Sequence, residues 1–280
     1  MKLIKPSFTI IEQQAGLEGI YKIIEQAGRT CYKSEDRITE NSAKEFVYRM
    51  IKSGHGAMLE HGTVYLDVPN SAGDYNLVPF FASNPYSRVV IEPLNDRVHN
   101  YITTNFRVIV ENFAEEYIPD VLQYICKPTE YHDKRACVRF ICDRGILAEF
   151  TRHRVFSFSA ESTRYNNYSK DKFNNELTFI EPLWYNPQYS MISENLTPDA
   201  IFDNSCITAE RNYKYLIKHG WKPQQARAVL PNALKTELVM TGFVSDWKHF
   251  FDLRCDSAAH PQARELAIPL KEEFIKRGYI

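Results

Sequence analysis

The sequence lacks the features that mark exported, membrane-bound and zinc-binding proteins. It has no run of the roughly 20 apolar residues that a membrane helix requires, and its first residues lack the long apolar stretch of a signal peptide. Its six cysteines form no Cys-x-x-Cys pair, and no pair of histidines completes a zinc-binding pattern. We therefore expect a cytoplasmic protein with reduced, mostly buried thiols and no metal.

The sequence also lacks an excess of positive charge. Its formal net charge is −1 over 280 residues, whereas a dedicated nucleic-acid-binding protein usually carries a basic excess. We therefore expect neither a nucleic-acid nor a membrane partner. Aromatic residues are plentiful, with 17 Tyr and 17 Phe. Most of these are expected in the core, and the remainder suit flat ligands or an oligomer interface.

Apolar periodicity predicts an α+β protein, because helices and strands are mixed without a strict βαβ alternation. Strands are predicted at 2–11, 63–68, 177–180 and 235–243, with 137–142 either a strand or the entry to a helix. Helices are predicted at 17–28, 42–54, 143–154, 197–218, 223–231, 245–254 and 261–276. The predicted N-terminal caps are Ser42, Asp143, Thr197, and either Ser245 or Asp246.

The whole chain, residues 1–280, is predicted to form one domain. Residues 70–133 differ from the rest because they contain several prolines and many Asn and Tyr residues. We interpret this segment as an insertion or cap on the main fold, with a helix within 96–126. A long loop is expected at 166–196, apart from the short predicted strand within it.

The residues that could carry chemistry are concentrated at 149–165. Between residues 135 and 169 there are six arginines and no lysine, and the planar guanidinium matches phosphate or a carbonyl edge in a way that an ammonium does not. Serine and threonine hydroxyls and three aromatic rings accompany them. Taken alone, the cluster is equally consistent with surface arginines near the end of a helix, where cations are favourable.

The arrangement within this segment is more specific. Arg152-His153-Arg154, followed after seven residues by Ser162-Thr163-Arg164-Tyr165, resembles the signature of the flavin-dependent thymidylate synthases. Further similarity lies outside this motif, at 29–32, 54–61, 226–231 and 253–254. The resemblance therefore covers about residues 1–68 and 135–280.

The resemblance implies a homotetramer whose active sites are each built from several subunits. It implies FAD as cofactor, deoxyuridine monophosphate (dUMP) as substrate, methylenetetrahydrofolate as carbon donor and NADPH as reductant. The product is deoxythymidine monophosphate (dTMP). Such an enzyme needs no cysteine nucleophile, and no cysteine lies inside the motif.

Carried over by position, the resemblance also implies site residues. The cofactor-binding positions are His55, Arg152, His153, Arg154 and His249, the last standing where the family often has Asn. The nucleotide-binding positions are Glu149, Arg152, Ser162, Thr163, Arg164, Arg227 and Arg254. Arg254 is the expected catalytic residue, because a fixed guanidinium beside the pyrimidine favours its ionised form. Ser162 is interpreted as a ligand contact rather than a nucleophile.

The chain departs from the family pattern at two places. Ala160 stands where an amide or carboxylate is expected, a change that Glu161 could offset. Residues Phe243–Ser245 replace a polar Asn-x-Arg segment found near the adenine in some members. Both departures concern flavin contacts.

Several alternatives stay open at this point. His55 could simply follow a helix end, Arg227 could lie on a helix surface, and Glu149 could form an ion pair with Arg152. His61 and His260 are interpreted as structural. At the level of function, the alternatives are a module that binds single-stranded nucleic acid through arginines and aromatic rings, and a flavoprotein of the same fold without methyl transfer.

Overall fold

The computed structural model describes residues 1–70, 77–94, 97–186 and 197–280, and within these ranges it confirms the α+β class. The strands are β1 Lys2–Ile4, β2 Ser7–Ile11, β3 Thr63–Pro69, β4 Arg88–Leu94, β5 Arg97–Asn105, β6 Arg135–Asp143, β7 Ser157–Ala160, β8 Thr178–Ile180 and β9 Lys235–Phe243. The helices are α1 Gly16–Tyr32, α2 Ser42–Lys52, α3 Leu77–Ser83, α4 Phe106–Asn112, α5 Ile118–Leu122, α6 Arg144–Phe150, α7 Pro198–Lys218, α8 Pro223–Ala226, α9 Val244–Arg254 and α10 Pro261–Lys276.

A four-stranded sheet in the order β2–β6–β9–β7 forms the centre of the fold. Its strands are antiparallel, and β6 pairs with β9 along its whole length, from Arg135↔Phe243 to Asp143↔Lys235. Side chains alternate between the two faces of a strand. One face packs on α6, α9 and α10 through an apolar core that includes Phe140 and Trp247, and the other contacts α1. Eight of the nine residues of β9 are buried, including the polar residues Thr236, Glu237 and Thr241, because both faces of the strand are covered.

A second sheet, β3–β5–β4, is formed largely by the proline-containing middle of the chain. It shares an apolar core with α1, α2 and α4. The helix predicted within 96–126 is present as two short helices, α4 and α5, but residues 97–105 form strand β5, which the sequence did not predict. The described strands of this segment, β4 and β5, therefore extend a sheet that β3 begins.

The predicted strand at 2–11 is wrong in its continuity. Pro6 interrupts it, since proline has no N–H to donate to a sheet. The first part, β1, pairs in parallel with β8, whereas the second part, β2, pairs with β6 in the central sheet. The N-terminal residues thus tie two sheets together. Residues 187–196 of the predicted long loop lie outside the described residues.

Two glycines that were both predicted to end helices behave differently. Gly54 follows α2 with a φ of +70°, a left-handed conformation that favours glycine. Gly28 does not end α1, which continues to Tyr32. A Cβ atom on Gly28 would lie 2.5 Å from Cζ of Phe46. Gly28 therefore allows a close approach between α1 and α2.

The capping predictions are confirmed at two helices. Asp143 Oδ1 accepts a hydrogen bond from the N–H of Ile146 at 2.7 Å, and Thr197 Oγ1 accepts one from the N–H of Ala200 at 3.2 Å. Helix α6 ends at Phe150 and not near residue 154. The helix predicted at 223–231 is only α8, followed by a 3-10 turn over Arg227–Val229.

The predicted caps of α2 and α9 are wrong, because each side chain is used elsewhere. Ser42 donates its hydroxyl to Oε2 of Glu25 at 2.9 Å, and Ser245 donates to Oδ2 of Asp133 at 3.3 Å. Asp246 does not cap either, since α9 begins after Phe243 without a side-chain cap. Ser42 also exchanges hydrogen bonds with the backbone of Thr39, and neither serine caps the first turn of its helix.

Candidate active site

Strand β7 separates the two halves of the arginine-rich motif. Its four residues pair with β9, from Ser157↔Thr241 to Ala160↔Leu238. A strand rises by about 3.3 Å per residue, so roughly 13 Å of strand separates Arg152–Arg154 from Ser162–Arg164. The predicted site residues therefore fall into two groups within one chain. We call Glu149, His153 and Arg254 the Arg254 cluster, and Ser162, Thr163, Arg164 and Arg227 the Ser162 cluster.

In the Arg254 cluster, three N–H groups of one guanidinium are already engaged. Arg254 Nη1 donates to Oε2 of Glu149 at 2.8 Å, and Nη2 donates to the Glu149 carbonyl oxygen at 2.6 Å. Arg254 Nε donates to Nε2 of His153 at 2.9 Å. Glu149 is on α6 and Arg254 is the last residue of α9, so two packed helix ends fix the guanidinium. The ion pair of Glu149 with Arg152 that the sequence left open is not formed; Glu149 pairs with Arg254 instead.

His153 is buried and neutral in this arrangement. Burial lowers its pKa, and the charges of Arg254 and His249 lower it further, to about 4. Because Nε2 accepts the hydrogen bond from Arg254, any proton on the ring is carried by Nδ1. The ring packs against Phe250 with 5.0 Å between the ring centroids. His249 lies near it, at 6.4 Å between ring centroids, and is exposed.

Arg152 and Arg154 flank this buried histidine in the turn after α6. Both are exposed, and within the part of the chain that the structure describes neither side chain has a hydrogen-bonding or ion-pairing partner. Two free guanidinium groups beside a neutral imidazole provide donors for an anionic ligand without a competing carboxylate.

The Ser162 cluster forms beyond the other end of β7. Arg227 Nη1 lies 3.4 Å from Oγ1 of Thr163, which makes Arg227 more than a helix-surface residue. The backbone N–H of Arg164 donates to the Ser162 hydroxyl at 3.2 Å, and Arg164 Nε donates to Oε1 of Gln224 at 3.3 Å. The turn thus gathers hydroxyl and guanidinium donors, as phosphate binding requires.

His55 belongs to the Ser162 end, not to the end that holds His153. Its Nδ1 lies 3.2 Å from the hydroxyl of Tyr32, and Tyr32 contacts Tyr165 with ring centroids 5.5 Å apart. Tyr165 is 56% exposed. The sequence reasoning did not assign Tyr32 to the site. Its position in the segment 29–32, which resembles the family, was the available signal.

The structure also shows the surroundings of the two positions where the sequence departs from the family pattern, Ala160 and Phe243–Ser245. The carboxylate of Glu161, the residue that could offset Ala160, is buried and binds Lys235 at 2.8 Å. The Phe243 ring has Arg88 at 4.6 Å and Arg135 at 5.6 Å from its centroid. Cation–π contacts of this kind stabilise the C-terminal end of β9. The sequence did not predict these two arginine contacts.

The remaining histidines have structural positions. His61 is fully buried, and its Nδ1 lies 2.8 Å from Oγ1 of Thr241. His260 caps α10 by accepting a hydrogen bond from the N–H of Gln262 at 3.3 Å. Both agree with the structural interpretation.

All six cysteines are free thiols, as the sequence predicted. The backbone carbonyl of Cys31 accepts a hydrogen bond from the N–H of Ser162 at 3.0 Å. The pKa of the Cys31 thiol is raised to about 11, mainly by burial. This thiol is therefore protonated at neutral pH and unsuited to nucleophilic attack. Over the described ranges no group of side chains could hold a metal ion, and no helix is long and apolar enough to cross a membrane.

Comparison with known proteins bears on this arrangement. Residues 129–277, which are 149 of the 280 residues, match the family described as thymidylate synthase complementing protein. The flavin-dependent thymidylate synthase of Pyrococcus furiosus is 31% identical over 182 residues, which cover 64% of this chain and 69% of that protein. A relative of the same description from Mycobacterium sp. (strain JLS) is 21% identical over 278 residues, covering 98% of this chain and 84% of that protein. A solved UMP/dUMP methylase, PolB from Streptomyces cacaoi, aligns over 99% of this chain and 92% of that chain, with 15% identity and a TM-score of 0.45.

Proposed function

The chain belongs to the thymidylate synthase complementing protein family, that of the flavin-dependent thymidylate synthases, and we propose that it converts dUMP to dTMP. Methylenetetrahydrofolate is the proposed carbon donor, FAD the hydride carrier and NADPH the reductant. The observation that carries the proposal is the fixed guanidinium of Arg254 in the Arg254 cluster.

The geometry of Arg254 suits recognition of a pyrimidine. An arginine side chain has five N–H groups, and three of those on Arg254 are used by Glu149 and His153. Two N–H groups remain for a ligand. A uracil ring that loses its N3 proton gains negative charge on its carbonyl edge, and a guanidinium held in place stabilises that charge without reorganising. Arg254 thereby favours the electron-rich pyrimidine that attacks a one-carbon unit.

Glu149 and His153 have different parts in this step. Glu149 orients the guanidinium and partly balances its charge, so it moderates the acidity of the bound pyrimidine. Neutral His153 holds the Nε side without adding a second positive charge. Because both partners lie on buried or half-buried ends of packed elements, Arg254 is ordered before the substrate arrives.

The nucleotide phosphate is assigned to the Ser162 cluster. Ser162, Thr163 and Arg164 are on one turn, and Arg227 reaches that turn from the segment after α8. Hydroxyl and guanidinium donors at this density form short, charge-assisted hydrogen bonds with phosphate oxygens. Ser162 is thus proposed as a ligand contact rather than a nucleophile.

The residues present fit FAD as the cofactor. Arg152 and Arg154 are exposed donors with no carboxylate partner in the described parts of the chain, which suits an anionic diphosphate. Together with His153, His249 and His55, they are the residues proposed to hold FAD, which supplies hydride when bound and reduced. Tyr32 and Tyr165 add aromatic surface beside His55.

A homotetramer with shared active sites is proposed because the two clusters lie far apart in one chain. The Arg254 cluster and the Ser162 cluster are at opposite ends of about 13 Å of strand. A nucleotide that contacts both therefore needs the Arg254 cluster of one subunit beside the Arg227 of another. We also propose one domain over residues 1–280, with 70–133 as its insertion, and a cytoplasmic location for a chain whose cysteines are free.

The proposal is tested by incubating the purified protein with dUMP, methylenetetrahydrofolate, FAD and NADPH and identifying the nucleotide product by mass. Formation of dTMP is expected. In Arg254→Ala the rate should fall about 10²- to 10³-fold, the usual effect of removing one positioned electrostatic donor. Arg277→Ala is the control. Arg277 directly follows α10 and forms an ion pair with Glu273 of that helix at 2.7 Å, so the change removes an arginine that is not assigned to the site. Full activity in Arg254→Ala would exclude the assigned role. Oxidation of NADPH without dTMP would favour a flavoprotein that lacks methyl transfer.

A further inference from the structure

A chain of buried charges connects the end of α1 to the turn that carries Ser162. Glu237 Oε1 lies 2.9 Å from Lys33 Nζ and 2.5 Å from Lys235 Nζ. Lys235 Nζ also lies 2.8 Å from Oε2 of Glu161, and the Tyr168 hydroxyl donates to Oε1 of Glu161 at 3.0 Å. We call Lys33, Glu161, Lys235 and Glu237 the charged clamp.

The two carboxylates of the charged clamp are shielded from solvent, and its two lysines are half-buried. The side chain of Glu161 is 1% exposed and that of Glu237 is 8% exposed. Burial raises the pKa of Glu237, but the charges of Lys235 and Lys33 outweigh it and lower the pKa to about 2. Lys235 is the residue that links the two carboxylates, since its ammonium group contacts both Glu161 and Glu237, whereas Lys33 contacts only Glu237 of the two.

Backbone hydrogen bonds transmit this arrangement to the proposed phosphate-binding turn. The N–H of Glu161 donates to the carbonyl of Glu237 at 2.8 Å, and the N–H of the next residue, Ser162, donates to the carbonyl of Cys31 at 3.0 Å. The side chain of Asn166 donates to the same Cys31 carbonyl at 3.3 Å. The turn is therefore attached on one side to β9 and on the other to the end of α1, the two elements that the charged clamp joins.

A network of this kind is costly to bury. Replacing a buried ion pair with apolar side chains is often neutral or stabilising, whereas removing one partner leaves an uncompensated charge. Bulk stability is therefore a poor account of four charges at this position. Their geometric effect is specific, because they fix the start of the Ser162 turn relative to α1.

We propose that Lys235 and Glu161 are positioning residues for the substrate, which hold the Ser162 turn where Ser162, Thr163 and Arg164 meet the nucleotide phosphate. The inference rests on the proposed function for that turn. Neither residue contacts the substrate; each acts through the backbone between Glu161 and Asn166.

The test is Lys235→Met, which keeps the length of the side chain and removes its charge. The KM for dUMP should rise at least about tenfold while kcat changes less than about twofold, because a displaced binding group weakens substrate binding more than it alters the reacting atoms. Hydrogen exchange of the amides in 161–166 should become faster. Glu161→Gln combined with Lys235→Met removes both ends of the same ion pair, so it should raise the KM and speed amide exchange no further than Lys235→Met alone. Lys22→Met is the matched control, since Lys22 pairs with Glu18 at 2.6 Å on an exposed face of α1.

An unchanged KM together with unchanged amide exchange in Lys235→Met would overturn the proposal. A wild-type KM in the double variant would also overturn it, because an unpaired buried charge, and not the lost contact, would then explain the effect of the single change. If Lys235→Met does not fold, Glu161→Gln gives the same reading: a higher KM and faster exchange support the clamp, and wild-type values overturn it. Lys235→Arg keeps both ion pairs and should keep the wild-type KM. If the wild-type protein forms no dTMP, the proposed function fails, but amide exchange in 161–166 still decides whether the clamp holds the turn.

Discussion

The Nε of Arg254 donates a hydrogen bond to Nε2 of His153 across 2.9 Å, although 101 residues separate the two in the chain. The contact defines the protonation state of the histidine, since an acceptor nitrogen carries no proton. It also leaves two of the five N–H groups of Arg254 unused by Glu149 and His153. The properties of His153 are therefore measurable consequences of this geometry.

The first prediction concerns pH. Folding lowers the pKa of His153 from 6.5 to about 4, so the folded state favours the neutral ring. Its contribution to stability is fully present above pH 6.5 and is lost as the pH falls from 6.5 to about 4. His153→Asn retains an acceptor for Arg254 but does not titrate. Over that range the free energy of unfolding of the wild type should decrease more than that of His153→Asn, by about 3 kcal/mol.

Denaturant unfolding of both proteins at closely spaced pH values measures this difference. The comparison with the variant is needed because His61 also has a lowered pKa, about 3, owing to its burial and to the charge of Arg135. Parallel curves for the two proteins would show that His153 is not held neutral by the fold.

The second prediction concerns Glu149→Gln. The amide keeps an oxygen that can accept the hydrogen bond from Arg254 Nη1 but removes the negative charge that lies 2.8 Å away. Arg254 should then stabilise the ionised pyrimidine more strongly. The apparent pKa that the pH profile assigns to the pyrimidine should therefore fall by about one unit. The pH dependence of kcat/KM for dUMP measures this. A lower rate with an unmoved profile would mean that Glu149 only orients the guanidinium.

The third prediction concerns packing beneath the motif. A Cβ atom on Gly242 in β9 would lie 2.3 Å from Cδ1 of Phe156, the residue immediately before β7. Gly242→Ala should lower the free energy of unfolding by about 1–3 kcal/mol, as overpacking of a core usually does. Adding Phe156→Leu makes room for the methyl group and should restore part of the loss. If the double variant is no more stable than Gly242→Ala, the clash with Phe156 is not the cause.

The fourth prediction concerns sharing of active sites between subunits. Arg254→Ala and Arg227→Ala should each be nearly inactive alone. After the two are mixed and reassembled, some sites receive an intact Arg254 cluster from one copy and an intact Arg227 from another, so activity should return in part. Product formation by the mixture, compared with the sum of the separate variants, measures this. No recovery, with exchange of subunits confirmed by mass, would place both residues in one subunit's site.

Much of the fold could be predicted from local patterns. The strand Lys235–Phe243 was predicted with its observed bounds, and its apolar centre Leu238–Met240 is the local signal for it. Strand β7 was not predicted, because it has only four residues and because its serines, not Phe158 and Ala160, take the buried positions. Pairing of the strands, and the division of residues 2–11 between two sheets, depend on contacts that no local pattern specifies.

The residues of the candidate site could likewise be predicted from the sequence, but their contacts with one another could not. The motif and its offset indicated Arg152–Arg154 and Ser162–Arg164, and the family resemblance added Arg254. That Glu149 pairs with Arg254 and not with Arg152 could not be predicted, because helical spacing favours the residue three positions away. The role of Lys235 was hidden for a similar reason, since its carboxylate partner Glu161 lies 74 residues away in the sequence.

The most direct test of the central claim is a visible absorption spectrum of the protein loaded with FAD and followed without oxygen. Dithionite should bleach the flavin bands, and these should return only when dUMP and methylenetetrahydrofolate are both added, with dTMP formed in equal amount. A protein that takes up no FAD, or whose reduced flavin is not reoxidised by the two substrates together, would contradict the claim that this chain methylates dUMP with a flavin.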